Sequence, residues 1–248
     1  MTKAYRDPIF LNSPEARPLR ILAEYLEPRR RLDALGVRNA IAFWGSARIR
    51  PGDTHVAGGQ DYYAQAFALA RRLVEWTQEQ HDDAERYYIL TGAGPGIMEA
   101  AHAGAASIDA RFNLGLNISL PFEQSANPYI PADHLFEFHY FFTRKFWFTE
   151  LARALVVFPG GFGTMDELFE VLTLMQTGKQ PRRPVVLFGT PFWEEVFDVQ
   201  ALSRQGLISP EDLELLISAD DVESAFVQLT GALEKAPQPG ASESPARR

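Results

Sequence analysis

The chain has 248 residues, a formal net charge of −8 and no cysteine. Its length suits one large domain that can bury a sizeable core without staples, and the missing cysteine excludes disulfides, thiolate metal sites and cysteine nucleophiles. The acidic balance argues against nonspecific nucleic-acid binding, where a basic face is expected, yet a local site can still take a small anion.

Met1–Phe10 carries Lys3, Arg6 and Asp7 and lacks an apolar core, so it does not read as a signal peptide. No apolar run approaches the roughly 18 residues that span a bilayer, so no membrane partner is expected and the expected location is the cytoplasm. Pro14–Gly36 is rich in leucine, alanine and arginine and predicts an N-terminal helical segment, broken or bent near Pro28. Asn39–Gly45 is a short apolar run, a first buried strand. Gln60–Trp76 places Tyr63, Phe67, Ala70 and Val74 at helical spacing. Tyr87–Thr91 predicts the second strand, and Gly92–Gly96 its turn into a helix over Ile97–Ala106. Phe112–Leu120 and Leu135–His139 read as the third and fourth strands, and Thr143–Glu150 as a helix. Ala154–Phe158 is the fifth strand, followed by Pro159–Gly163 and a helix over Thr164–Thr177. Pro184–Phe188 is the sixth, with two or three helices after it. Nearly continuous apolar strands alternating with helices indicate an α/β fold with a parallel sheet covered on both faces. Ala236–Arg248, rich in proline, serine and alanine, reads as a disordered tail.

The two glycine turns sit at the carboxyl ends of strands, where open α/β sheets bind ligands. Glycine lets backbone approach a ligand closely, and the following helix offers free N–H groups and partial positive charge, which suits phosphate. For Gly92–Gly96 the plain alternative is a tight, closely packed turn with no ligand. That turn is not a P-loop, since no Lys-Ser or Lys-Thr follows its last glycine, and its spacing and place after the second strand disfavour a dinucleotide site. The second turn, Pro159-Gly160-Gly161-Phe162-Gly163-Thr164, enters a helix with Met165, Leu168, Phe169, Leu172 and Met175 on one face. Thr164 reads as its N-cap and Glu167 as the partner that completes a capping box. On that reading Glu167 only closes its own helix, but capping alone does not need the glycines that precede it.

Pro159-Gly160-Gly161-Phe162-Gly163-Thr164-Met165-Asp166-Glu167 resembles the PGGxGTxxE signature of the LOG ("Lonely Guy") family, and Arg144-Lys145 resembles the RK pair upstream of it. Gly92–Glu99, Gly45-Ser46 and Leu120–Ile130 extend the likeness, which runs from about Val37 to Leu229. The resemblance implies a single Rossmann-like domain over residues 1–235, including a helical extension over 1–36, with about six to seven mostly parallel strands. It further implies a cofactor-free phosphoribohydrolase that cleaves a nucleoside 5′-monophosphate into free base and ribose 5-phosphate, and a homodimer or larger homo-oligomer. AMP and N6-modified AMP, the cytokinin nucleotide type, are the substrates it suggests. The long N-terminal segment and Leu120–Ile130 look like the larger members, for which a cytokinin substrate does not follow automatically.

The family pattern assigns Glu167 to the ribose hydroxyls or the attacking water and Arg144 to orienting the nucleotide. Gly160, Gly161, Gly163 and Thr164 would hold the phosphate, with Gly94, Gly96 and Ser46 on neighbouring strand ends. Glu123 is a candidate substrate contact or an ordinary loop carboxylate, and Lys145 a candidate contact or a solvated helix residue. The five histidines, His55, His81, His102, His134 and His139, show no metal-ligand spacing, so no metal is expected. The aromatic residues around Arg144, from Tyr140 to Phe148, suit core packing or a subunit contact. A decarboxylase reading would need a pyridoxal phosphate lysine, and nothing around Lys145 or Lys179 marks one. A binding protein of the same fold, such as a molybdenum-cofactor carrier, is the second reading; the joint presence of Arg144 and Glu167 favours catalysis.

Overall fold

A computed structural model describes residues 2–119 and 125–235. After a short helix α1 (Pro8–Leu11), helix α2 (Arg17–Leu35) leads to β1 (Asn39–Trp44), α3 (Tyr62–Gln80), β2 (Tyr87–Thr91) and α4 (Ile97–Asp109). Strands β3 (Asn113–Ile118) and β4 (Leu135–Phe138) precede α5 (Phe141–Leu151), β5 (Ala152–Val157) and α6 (Phe162–Gln176). The chain continues through β6 (Val185–Phe188), α7 (Thr190–Val196), α8 (Val199–Arg204), β7 (Leu216–Ala219) and α9 (Val222–Lys235).

The seven strands form one sheet in the order β4-β3-β2-β1-β5-β6-β7, and every pairing is parallel. This is the expected α/β, Rossmann-like architecture. Both faces are covered because each strand carries apolar side chains in both directions. Ile41 and Phe43 of β1 pack with α3, α4 and α9, while Ala40, Ala42 and Trp44 face a second cluster that includes Trp147, Phe148 and Leu168 of α5 and α6. Strand order reverses between β1 and β5, so a crevice opens beyond their carboxyl ends.

Two expectations change. The N-terminal helix runs unbroken through Pro28, which is buried inside α2. The second is the start of α6: the helix begins at Phe162, with Gly161 as N-cap and no side-chain cap. Thr164 therefore lies inside the first turn, and the Thr164–Glu167 capping box does not form. The helix starts early because Gly161 already has the extended backbone (φ −96°, ψ −152°) of a cap residue.

A candidate active site between two glycine turns

Three strand ends meet at the crevice and are tied together by backbone. Ser46 N–H donates to the Pro159 carbonyl at 2.9 Å, and the Ser46 carbonyl accepts from Ile97 N–H at 3.1 Å. The turn after β1 thus touches both glycine turns. Gly96 sits at φ +71°, and a Cβ there would collide with the Ser46 and Ala47 backbone.

The second turn presents its donors without using them. Met165 N–H makes the first helical bond, to the Gly161 carbonyl at 3.0 Å. Among the described residues the N–H groups of Gly161, Phe162, Gly163 and Thr164 have no acceptor. A Cβ on Gly161 or Gly163 would meet open space, whereas one on Gly160 would overlap the Thr164 hydroxyl. Thr164 is buried over Gly160, and the Phe162 ring next to it is 96% exposed.

Arg144 and Glu167 join the two turns. Arg144, in the first half of α5, donates from Nη2 to Glu167 Oε1 at 3.2 Å. Both side chains are largely buried, at 11% and 14% exposure. The guanidinium lies against the first turn: a Cβ on Gly92 would stand 3.4 Å from Arg144 Nη1, an ordinary contact, and 3.0 Å from Met98 Sδ. The guanidinium also lies over the Phe141 and Phe148 rings, at 5.4 and 5.7 Å. Burial pushes the Glu167 carboxyl up to about 7, against the pull of Arg144. Arg144 Nε is buried with no partner among the described residues, an open donor beside a near-neutral carboxyl group.

Lys145 binds the carboxylates of Asp166 and Glu170, each at 2.9 Å. Partial burial works against its charge, but these hydrogen bonds hold the ammonium above its ordinary range. A Schiff-base lysine needs the opposite shift, so Lys145 does not fit pyridoxal phosphate. Glu123 lies outside the described residues. Among the described residues no group of three or more histidine or acidic side chains is placed to hold a metal ion. Nor, among the described residues, is any helix long and apolar enough to cross a membrane.

Several supporting residues escaped the sequence reading. Glu24 of α2 accepts from His139 N–H at 2.8 Å, from Tyr140 N–H at 3.3 Å and from the Thr143 hydroxyl at 2.5 Å. A carboxylate therefore sits at the amino end of α5. At the other end buried Arg183 donates to the Thr149 carbonyl at 2.7 Å and to the Ala152 carbonyl. Opposite charges thus match both ends of the helix dipole. Asn127 holds the first turn, with its N–H on the Ala93 carbonyl at 2.8 Å and its amide on the Ala93 and Gly94 carbonyls at 3.0 and 3.1 Å. No spacing rule finds such partners, which lie far apart in the chain.

The family described as "possible lysine decarboxylase" matches residues 98–229. A cytokinin riboside 5′-monophosphate phosphoribohydrolase of Rhodococcoides fascians is 30% identical over 87 residues, 35% of this chain and 44% of the relative. The phosphoribohydrolase of that name designated LOG7, from Arabidopsis thaliana, is 32% identical over 88 residues, 35% of this chain and 40% of the relative. The matched region therefore spans less than half of either relative. The X-ray structure of the structural-genomics target TM1055 superposes with a TM-score of 0.51 at 19% identity, over 80% of this chain and 99% of that one, a likeness of fold alone. With the family matched over more than half of its length, and with both glycine turns in place, the chain belongs to the LOG family, the lysine-decarboxylase-like group.

Proposed function

We propose that the chain hydrolyses the N-glycosidic bond of a nucleoside 5′-monophosphate, AMP or an N6-modified AMP, giving free base and ribose 5-phosphate. The observation that carries this reading is the buried Arg144–Glu167 pair, set between two strand-to-helix turns. A protein that only held a phosphate-bearing cofactor would use the N–H groups of the second turn. It would not need a carboxyl group poised near neutrality beside a guanidinium. The activity named for both curated relatives supports the same reaction class.

In this reading the backbone of Gly160, Gly161 and Gly163 and the Thr164 hydroxyl hold the 5′-phosphate at the amino end of α6. Ser46, Gly94 and Gly96 form the opposite wall. Water adds to C1′ as the C1′–N bond breaks, and the bonding electron pair leaves with the base. Glu167 as carboxylate steadies the positive charge that develops on the sugar and takes a proton from the water; that proton passes to the departing base, directly or through solvent, which restores the carboxylate. Arg144 orients the nucleotide and offsets negative charge on phosphate or leaving base. Lys145, held between Asp166 and Glu170, and Glu123 are further proposed substrate contacts. The same reading includes a cytoplasmic homodimer, with Phe141 and Phe142, each about half exposed, in the contact. A light-scattering mass of one chain would overturn the dimer.

The test is chromatographic. Purified protein is incubated with AMP, GMP, CMP, UMP and N6-isopentenyl AMP, and free base and ribose 5-phosphate are sought. Release from any of them is the expected result, and the pattern gives the base preference. Binding of AMP with no release from any nucleotide would overturn catalysis in favour of a binding protein.

A further inference from the structure

Asn127 is 8% exposed and comes from the connection between β3 and β4. It therefore lies on the side of β2 remote from β1 and the crevice. Its side chain is unambiguous in orientation: Oδ1 accepts from Tyr129 N–H at 3.4 Å, so Nδ2 is the donor toward Ala93, Gly94 and His102. The two Nδ2 hydrogens face the Ala93 and Gly94 carbonyls, and the His102 ring nitrogen Nδ1, 3.2 Å away, can share one of them as an acceptor. That requires a neutral imidazole, and burial, pushing His102 down to about 4, keeps it so.

These bonds fix two peptide planes. In a trans peptide the carbonyl of one residue and the N–H of the next point in opposite directions. With the Ala93 carbonyl drawn to Asn127 twice over, the Gly94 N–H points away from Asn127. The Gly94 carbonyl is drawn the same way, and the next residue, Pro95, has no N–H. Ala93 N–H is already used, on Thr91 Oγ1 at 2.9 Å. Gly94 N–H has no acceptor among the described residues. The arrangement also holds Ala93 at φ +64°, the one non-glycine residue with positive φ among those described. A residue with a side chain keeps this unfavourable conformation only where its surroundings impose it.

We infer that Asn127 is a positioning residue that aims the Gly94 N–H at a sugar-phosphate oxygen of the bound nucleotide. The inference rests on the proposed nucleotide site, and its test separates the two. Ribose 5-phosphate and AMP are titrated into the isotope-labelled full chain while the Gly94 and Gly161–Thr164 amides are followed by NMR. In the native protein the Gly94 amide should shift downfield and its exchange should slow at saturation. Asn127→Ala should lose that response, with Kd for ribose 5-phosphate and KM for AMP raised about tenfold and kcat changed less than threefold. A loss of folded protein would instead lower kcat in proportion and leave KM unchanged. Asn127→Ser, which keeps a small polar side chain, serves if the alanine variant does not fold. A silent Gly94 amide while Gly161–Thr164 respond would overturn the role of Asn127 and leave the nucleotide site standing. Unchanged binding in the variant would overturn it too. No response at any of these amides, with no base released from AMP, would remove the underlying reading.

Discussion

Apart from the Gly94 N–H, the Gly92–Gly96 turn is held by the rest of the chain: Asn127 takes the Ala93 and Gly94 carbonyls, Ser46 abuts Gly96, and Met98 crowds the place of a Cβ on Gly92. At Gly160–Gly163 the reverse holds. Two glycines face open space, four N–H groups are unspent, and the neighbouring Phe162 ring touches almost nothing. In sequence the two turns look like the same device. In space the first is a packed joint, where a Cβ on Gly92 would press on Met98 and one on Gly96 would strike the Ser46–Ala47 backbone; the second is an open turn, in which packing requires Gly160, under Thr164, but not Gly161 or Gly163. Sterics explain the former; at Gly161 and Gly163 they do not, and a ligand approaching the free N–H groups is the proposed reason.

The comparison breaks most visibly at Glu167, the residue that reaches from the open turn to the packed one. Glu167→Gln should lower AMP turnover about a thousandfold while nucleotide binding persists. Near-normal turnover would mean that the pair is only structural. The same substitution should change how stability follows pH. Folded Glu167 keeps its proton to about 7, whereas an unfolded carboxyl group releases it near 4.5. Across that window the native state holds the extra proton, so its stability is fullest below the unfolded value and falls as pH rises through the folded one. The loss amounts to as much as about 3 kcal/mol. Urea midpoints from pH 4 to 8 should decline in the native protein and flatten in Glu167→Gln; parallel curves would refute the assignment.

Alanine at single glycines then separates joint from cradle. Gly96→Ala must force a Cβ at positive φ into the Ser46 carbonyl, and should cost at least about 2 kcal/mol in a urea titration. Gly163→Ala places a methyl in the first turn of α6 with space around it. It should raise stability by about 0.5–1 kcal/mol and weaken AMP binding roughly tenfold. If Gly163→Ala destabilised the protein, the cradle would be a joint as well. The smallest effect belongs to Phe162→Ala, which should leave stability within about 0.5 kcal/mol. A larger loss in a dilute monomer would show that the ring is covered by its own chain.

Much of this was legible beforehand, and the exceptions are instructive. Strands such as Ala154–Phe158 announce themselves through unbroken apolar runs, because both faces of a parallel sheet are buried. The glycine turns and the Arg144–Glu167 pair were legible from the family signature. The Thr164–Glu167 capping box failed because a local pattern was satisfied on paper while the backbone entered the helix earlier, and because Glu167 finds a better partner 23 residues away. The edge strand Leu216–Ala219 leaves little trace in the sequence because it is four residues long and only partly buried. Glu24, Asn127 and Arg183 act through backbone groups of remote segments, and such contacts leave no periodic trace.

The two-ended clamp on α5 ties the placement of Arg144 to distant parts of the chain. Glu24 meets Thr143 across 119 residues of chain, and Arg183 meets Thr149 across 34. The helix that presents the guanidinium is therefore held at its amino end by α2 and at its carboxyl end by the segment before β6. A substitution at either anchor can shift Arg144 relative to Glu167 without touching the pair itself.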